Sequence, residues 1–323
     1  MVKFIMRRLL WLIPVSMGVA VVIFSIMYFV PGDPVQIILG NDATPEVIAQ
    51  LRNDLGLDDP YIIRLGRFLK DVFLRFNFGE SYITHVSITK EMISRLPRTI
   101  LIGFVSMMLT LVIGIPLGIT AALQRNRIGD RISMIIAMFG VSMPGFWLAL
   151  MLVVVFSVNL SWLPPYGIGG IEYYIMPCMA NAVAGIAGMA RQARSSMLEV
   201  IRSDYVVTAR AKGLSNRSVI LKHALPNALI PITAVAGSQL ARIFGGSVVI
   251  ENVFSIPGVG NYMVTAINNR DYPIVMSCVI FLAIIFSFVM LLVDIAFAYI
   301  DPRIKAQYMG EKNTNRRRRK QNV

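Results

Sequence analysis

Arg242 follows an uncharged stretch running from Ala224 to Ala241 and precedes Ile250 by 8 residues. An ionisable group at membrane depth is costly, and it marks either a functional site or a partner close by. Two chemistries are open to this guanidinium. It faces a passage and meets a carboxylate or backbone carbonyls there, or it neutralises an acidic group on a neighbouring helix or snorkels outward. Asp294, six residues before Ile300, suits a structural ion pair or a cap. A second set of charges is spaced for a different task. Ser203 can cap a short helix that opens on Asp204 and continues through Tyr205, Thr208 and Ala209. Arg210, Ala211 and Lys212 fall in its last turn. Gly213 supplies a left-handed terminus before Leu214, and a further helix can start after Ser215 and run towards Pro226. Metal chemistry has little support, because Cys178, Cys278, His85 and His223 cannot make a convincing cluster. The two cysteines sit in apolar surroundings and read as small hydrophobes. No Gly-x4-Gly-Lys-Ser/Thr phosphate loop occurs, and no constellation of His, Asp, Glu, Cys or Ser suggests a membrane-embedded enzyme. No catalytic, cofactor-binding or metal-binding residue is assigned.

The elements that hold these residues are read from hydrophobicity. Of the 323 residues 56% are hydrophobic and 15% charged, and mean hydropathy is +0.65. A soluble domain carries roughly a quarter charged residues. Leu9 to Val30, Thr99 to Leu123, Ile132 to Ile171, Tyr173 to Ala190, Ala224 to Ala241 and Tyr272 to Val293 contain no charge. A helix needs about 20 apolar residues to cross the hydrocarbon core. Six spans are predicted, the third window holding one span and a loop broken by Pro164, Pro165, Gly167, Gly169 and Gly170. The first window is too long for a signal peptide and ends in Pro31-Gly32-Asp33-Pro34 without a cleavage site, so it reads as a retained span.

Charge then sets the orientation. With both termini cytoplasmic, the inner segments hold 21 Lys/Arg against 5 Asp/Glu and the outer ones 9 against 12. This is the positive-inside pattern, with Lys90, Arg95 and Arg98 discordant in a long outer segment. The net charge of +13 therefore reflects topology and not nucleic-acid binding. The basic run Arg316 to Lys320 reads as a cytoplasmic end attracted to anionic lipid.

Between the first and second spans, Ile62, Leu65, Phe68, Leu69, Val72 and Phe76 recur at helical spacing and predict an amphipathic helix over Tyr61 to Phe76 on the outer face of the bundle. Gly114-x3-Gly118 and Gly245-Gly246 are small-residue sites for close helix packing. Pro116, Pro144 and Pro231 are expected to kink their spans. The connector from Arg191 to Lys222 is unusually long, and reads equally as a docking element or as a solvated, arginine-rich link.

That connector resembles the Glu-Ala-Ala…Gly…Leu-Pro signature of ABC-importer permeases. The string Asp204-Tyr205-Val206-Val207-Thr208-Ala209-Arg210-Ala211-Lys212-Gly213-Leu214 is followed by His223-Ala224-Leu225-Pro226, with the same Gly-to-Pro spacing. Val207 stands where that signature has glutamate and Thr208 where it has the first alanine. The variant is similar to that of peptide and nickel importers. Val30 to Pro34, Gly56 to Pro60, Phe78 to Ser81, Glu251 to Gly260, Arg270 to Pro273 and Asp301 to Arg303 add matches in order, covering roughly residues 1 to 305. The whole resembles the B-type permease subunit of a dipeptide, oligopeptide, glutathione or nickel importer.

The resemblance implies a six-helix type I permease fold in a bacterial inner membrane, without enzymatic activity or cofactor of its own. It implies a second homologous permease, two cytoplasmic ATPases and an extracytoplasmic solute-binding protein as partners. The helix around Asp204 to Lys212 would sit in a groove on an ATPase, with His223 and Pro226 completing the segment. The division expected is a first span in 1–30, an insert in 31–98, a five-helix core in 99–301 holding the coupling segment 191–226, and a tail in 302–323. The rival reading, a carrier driven by an ion gradient, would need more ionisable groups near the midplane than Arg242.

Overall fold

Small residues decide how this bundle packs. The computed structural model describes residues 2–30, 34–40 and 43–300. Pro31 to Asp33, Asp301 to Arg303, the basic tail and the side chain of Asp294 lie outside the described residues. The described residues form α1 (Val2–Phe29), α2 (Pro34–Leu39), α3 (Pro45–Asp54), α4 (Tyr61–Leu74), α5 (Ile88–Leu123), α6 (Ile128–Ser142) and α7 (Gly145–Leu152). They continue as α8 (Glu172–Ile201), α9 (Asp204–Ala211), α10 (Asn216–Ser218), α11 (Leu225–Val253), α12 (Val259–Asn268) and α13 (Tyr272–Ile300).

Helix α8 is the centre. Its small side chains Ala180, Ala182, Gly185, Ala187, Ala190 and Ala193 are buried, which lets neighbours approach its backbone. Gly114 of α5 meets the Ile186 carbonyl, and Gly118 meets the Ala190 carbonyl and the Ala193 methyl so closely that no Cβ could be added. From the other side, Gly246 of α11 lies against Asn181, whose amide donates to the Ile243 carbonyl at 3.2 Å. Gly245, expected to pack beside Gly246, instead faces open space. Cys178 and Cys278 are both buried.

Among the described residues five helices are long and apolar enough to cross a membrane, and a bent pair brings the number to six when it is counted as one span. The break falls where Met143 and Pro144 are both extended, between α6 and α7, and the axes differ by 104°. Proline pushes the residue before it out of the helical region, which explains the position of the break. Pro116 and Pro231 lie inside α5 and α11, which continue past them.

The insert folds back onto α1 and α13. Phe68, Leu69, Val72 and Phe73 of α4 join a core with Ile274, Val275, Cys278 and Phe281, and Tyr61 contacts Phe24 and Tyr28 of α1. Ile62 and Phe76, which the spacing puts on the apolar stripe, are 78% and 55% exposed. The helix stops at Leu74, and Phe76 takes a left-handed conformation, φ 53°, with its ring edge-on to that of Phe78 at 5.7 Å. Ser81 donates to the buried Asp271 carboxylate at 2.6 Å, which also accepts from the Tyr82 amide at 3.4 Å. Glu251 accepts from the Asn261 amide at 3.0 Å in the first turn of α12, while Thr99 accepts from the Val259 amide at 2.9 Å. Arg95 pairs with Glu91 and lies 4.5 Å from the Tyr262 ring, and Arg98 donates to the Pro257 carbonyl. These two discordant arginines thus have structural partners at the insert end.

Candidate functional site

At the opposite end of α8 from the insert, the chain makes a short detour before re-entering the bundle. Helix α8 runs to Ile201, so 191–201 is helix continuous with the span and not a free connector. Ser203 occupies the N-cap position of α9 with an extended backbone, and its carbonyl accepts from the Val206 and Val207 amides. Its hydroxyl does not cap; it turns back and donates to the Val200 carbonyl at 2.6 Å, closing α8 in place of opening α9. Asp204 lies in the first turn and Arg210 in the last, matching the helix dipole. Gly213 follows with φ 77°, the left-handed conformation that stops the helix.

Only two side chains seat α9. Val206 and Ala209, three apart, are buried in a cluster with Ala122 of α5, Met197 of α8, Val219 and Ala224 just before α11, and Ala228 in the first turn of α11. The other α9 positions are exposed, as are Lys212 and Leu214 beyond it; Tyr205 is 44% and Val207 55% exposed. The outward face therefore presents an aromatic ring, an isopropyl group, the Thr208 and Ala211 positions and two cations. Ser215 accepts from the Ser218 amide and starts α10, and residues 219–224 form a π-helical turn leading without a gap into α11. The wide turn lies directly before Pro226, where the ring would otherwise press on the carbonyl four residues back. The His223 carbonyl accepts from the Asn227 side chain at 3.0 Å.

Two features here were not legible in the sequence. Arg194 of α8 grips Asp130 of α6 through two parallel bonds of 2.6 and 2.7 Å, and Asp130 also accepts from the Asn126 amide. Asp130 is 2% exposed, so this fork ties the α5–α6 turn rigidly to α8. Arg125 on that turn, Arg202 at the end of α8 and Arg210 on α9 also line one cavity of about 280 Å³. The only signal for the fork was an acidic residue in an otherwise basic turn.

Arg242 stands apart from this end. It is exposed, on a face of α11 that also exposes Ala234, Ser238 and Gly245 at helical spacing. The structure does not bring it together with the α9 residues.

Residues 114–306 match the family described as the binding-protein-dependent transport system inner membrane component, and 1–103 match its N-terminal region family. The chain belongs to this family of permeases. The dipeptide transport system permease protein DppB of Alkalihalophilus pseudofirmus is 42% identical to this permease over 94% of the chain and 100% of its own length. The glutathione transport system permease protein GsiC of Salmonella paratyphi A is 39% identical over 94% and 99%. Among solved structures, an inward-facing MetNI methionine ABC transporter chain aligns with a TM-score of 0.54 at 19% identity, covering 66% of this permease and 98% of that chain. That likeness extends to the fold. The permease is the membrane subunit of an ATP-driven importer and works with the other components of an ABC transporter. It is a multi-pass inner-membrane protein, and ATP hydrolysis belongs to separate subunits. This sets aside the gradient-driven carrier.

Proposed function

We propose that this permease carries short peptides inward, as one half of a heterodimer with a second, homologous permease. Two cytoplasmic ATPases would grip it through α9, and an extracytoplasmic binding protein would deliver substrate to the insert side. The single observation that carries the coupling role is the seating of α9. A helix held by Val206 and Ala209 alone, with the rest of its surface exposed, is built to be covered by another protein. Asp204, Tyr205, Thr208, Arg210, Ala211, Lys212 and Leu214 would form the contact, Gly213 would fix its edge, and His223 and Pro226 would join it to α11. ATP-driven closure would then pull on α8 and α11 through the cluster beneath α9.

The substrate class draws on the relatives named for dipeptide and glutathione transport, both short peptides bearing carboxylates. Ser238 and Arg242 offer a hydroxyl and a guanidinium one turn apart on α11, with the small residues Ala234 and Gly245 leaving room on either side. That face suits a carboxylate passing between two permeases. The excess of inner positive charge supports cytoplasmic termini, an extracytoplasmic 31–98 insert, the five-helix 99–301 core with its 191–226 coupling segment facing the cytoplasm, and a lipid-attracted 302–323 tail.

The test is affinity purification of the assembled importer in mild detergent, with identification of what stays bound. A second permease and ATPase are expected to co-purify. ATPase retention is expected to vanish in Ala209→Glu/Gly213→Pro, which buries a carboxylate under α9 and denies residue 213 its positive φ. Retention in that variant at wild-type level would sink the docking role. For the passage, Arg242→Met is expected to abolish peptide uptake in reconstituted vesicles while leaving assembly intact; unchanged uptake removes Arg242 from the pathway.

A further inference from the structure

Arg125, Arg202 and Arg210 reach one cavity from three separate pieces of chain: the α5–α6 turn, the residue that caps α8, and α9. All three are exposed, and none forms an ion pair among the described residues. The walls include Leu123, Leu198 and Ile201, so the charges stand beside apolar surface, where a counter-charge is held more strongly than in open water. The Asp130–Arg194 fork fixes the turn that carries Arg125, so part of the cavity's charge is already in position. Guanidinium groups match carboxylates bidentately.

We infer that this cavity receives a carboxylate side chain from the ATPase that covers α9, a second anchor that adjoins the α9 face and shares Arg210 with it. The inference rests on the docking role proposed above. A lipid phosphate has similar chemistry, but the cavity adjoins the exposed face of α9, and Arg210 belongs to both. An acidic side chain of the ATPase that covers α9 is therefore within reach of all three arginines, and lipid is the competing outcome of the test. Seated there, the carboxylate would touch α9, the end of α8 and the end of α5 together, so force applied to it would reach two spanning helices directly.

The experiment measures ATPase affinity for the assembled permease pair in nanodiscs, using wild type, Arg125→Gln/Arg202→Gln, and Tyr205→Ala/Val207→Arg on the α9 face. The double glutamine variant keeps Arg210 and alters only exposed side chains, so its thermal midpoint is expected to match wild type. Its apparent Kd for the ATPase is expected to rise tenfold or more and to lose much of its salt dependence, with Arg125→Lys/Arg202→Lys recovering part of the affinity. Wild-type affinity in the glutamine variant, with binding lost in the α9-face variant, overturns the second anchor and leaves the docking role standing. Wild-type affinity in both variants removes the docking role as well. A glutamine variant that binds ATPase normally but loses a phosphatidylglycerol contact in nanodiscs assigns the cavity to lipid, which also overturns the inference. Arg202→Glu rescued by an acid-to-lysine change in the ATPase would identify the carboxylate.

Discussion

Asp130 and Arg194 show how one residue pair sets local geometry at the α9 end. The carboxylate is almost wholly buried while the guanidinium keeps about a quarter of its surface in solvent, so the pair has an escape route that a fully buried one lacks. Removing one partner of a buried pair costs about 3–5 kcal/mol, and partial exposure of Arg194 reduces this to roughly 2–3 kcal/mol. Asp130→Asn is expected to destabilise the protein by that amount, read as a lower thermal-unfolding midpoint in detergent. Arg194→Lys should lose less, because a lysine keeps the charge but not the two parallel bonds. Equal midpoints for wild type and Asp130→Asn would show that the fork contributes no stability.

At the scale of elements, the α5–α8 contact depends on missing side chains. A Cβ at residue 118 would strike the Ala190 carbonyl, which is backbone and cannot rotate aside. Gly118→Val is therefore expected to destabilise the bundle by about 1–3 kcal/mol or more, as overpacked cores do, and to cut the yield of monodisperse protein. Gly245→Ala is the control, since nothing lies within 4 Å of the added methyl. It should leave the midpoint of the isolated chain unchanged. A loss of permease pairing in that same variant would place the Gly245 face of α11 against the partner. Stability unchanged in Gly118→Val would mean that α5 can tilt away without cost.

Across the whole molecule, the insert end and the α9 end are built differently. The insert end is locked by buried polar contacts between distant segments: Ser81 to Asp271, Ser277 to the Phe78 carbonyl, Thr99 to Val259 and Glu251 to Asn261. The α9 end rests on a small apolar cluster and one ionic fork. Asp271→Ala leaves the Ser81 hydroxyl and Tyr82 amide without their acceptor, a loss of about 1–3 kcal/mol for buried groups. Amide hydrogen exchange is expected to speed up over residues 78–88 in that variant and to stay unchanged in α9. Acceleration at both ends would mean that the molecule opens as one unit.

The sequence by itself determined the number and type of spans, the amphipathic character of α4, the existence of α9 and the left-handed stop at Gly213. Each depends on local periodicity, on length against bilayer thickness, or on the backbone freedom of one glycine. It also pointed to the family, through motifs whose order is readable along the chain. Tertiary structure decided what those motifs do. Phe78 to Ser81 and Arg270 to Pro273 meet because a hydroxyl and a carboxylate 190 residues apart are buried together, and no local pattern records such a distance. The Ser203 hydroxyl bonds backward to α8, because the path out of α8 brings the Val200 carbonyl within reach. Ile62 and Phe76 stay largely exposed at the two ends of the stripe, Ile62 in the first turn of α4 and Phe76 two residues past its end at Leu74. The convergence of Arg125, Arg202 and Arg210 has the same origin: three cations of ordinary local context become one cavity only when α5, α8 and α9 end side by side.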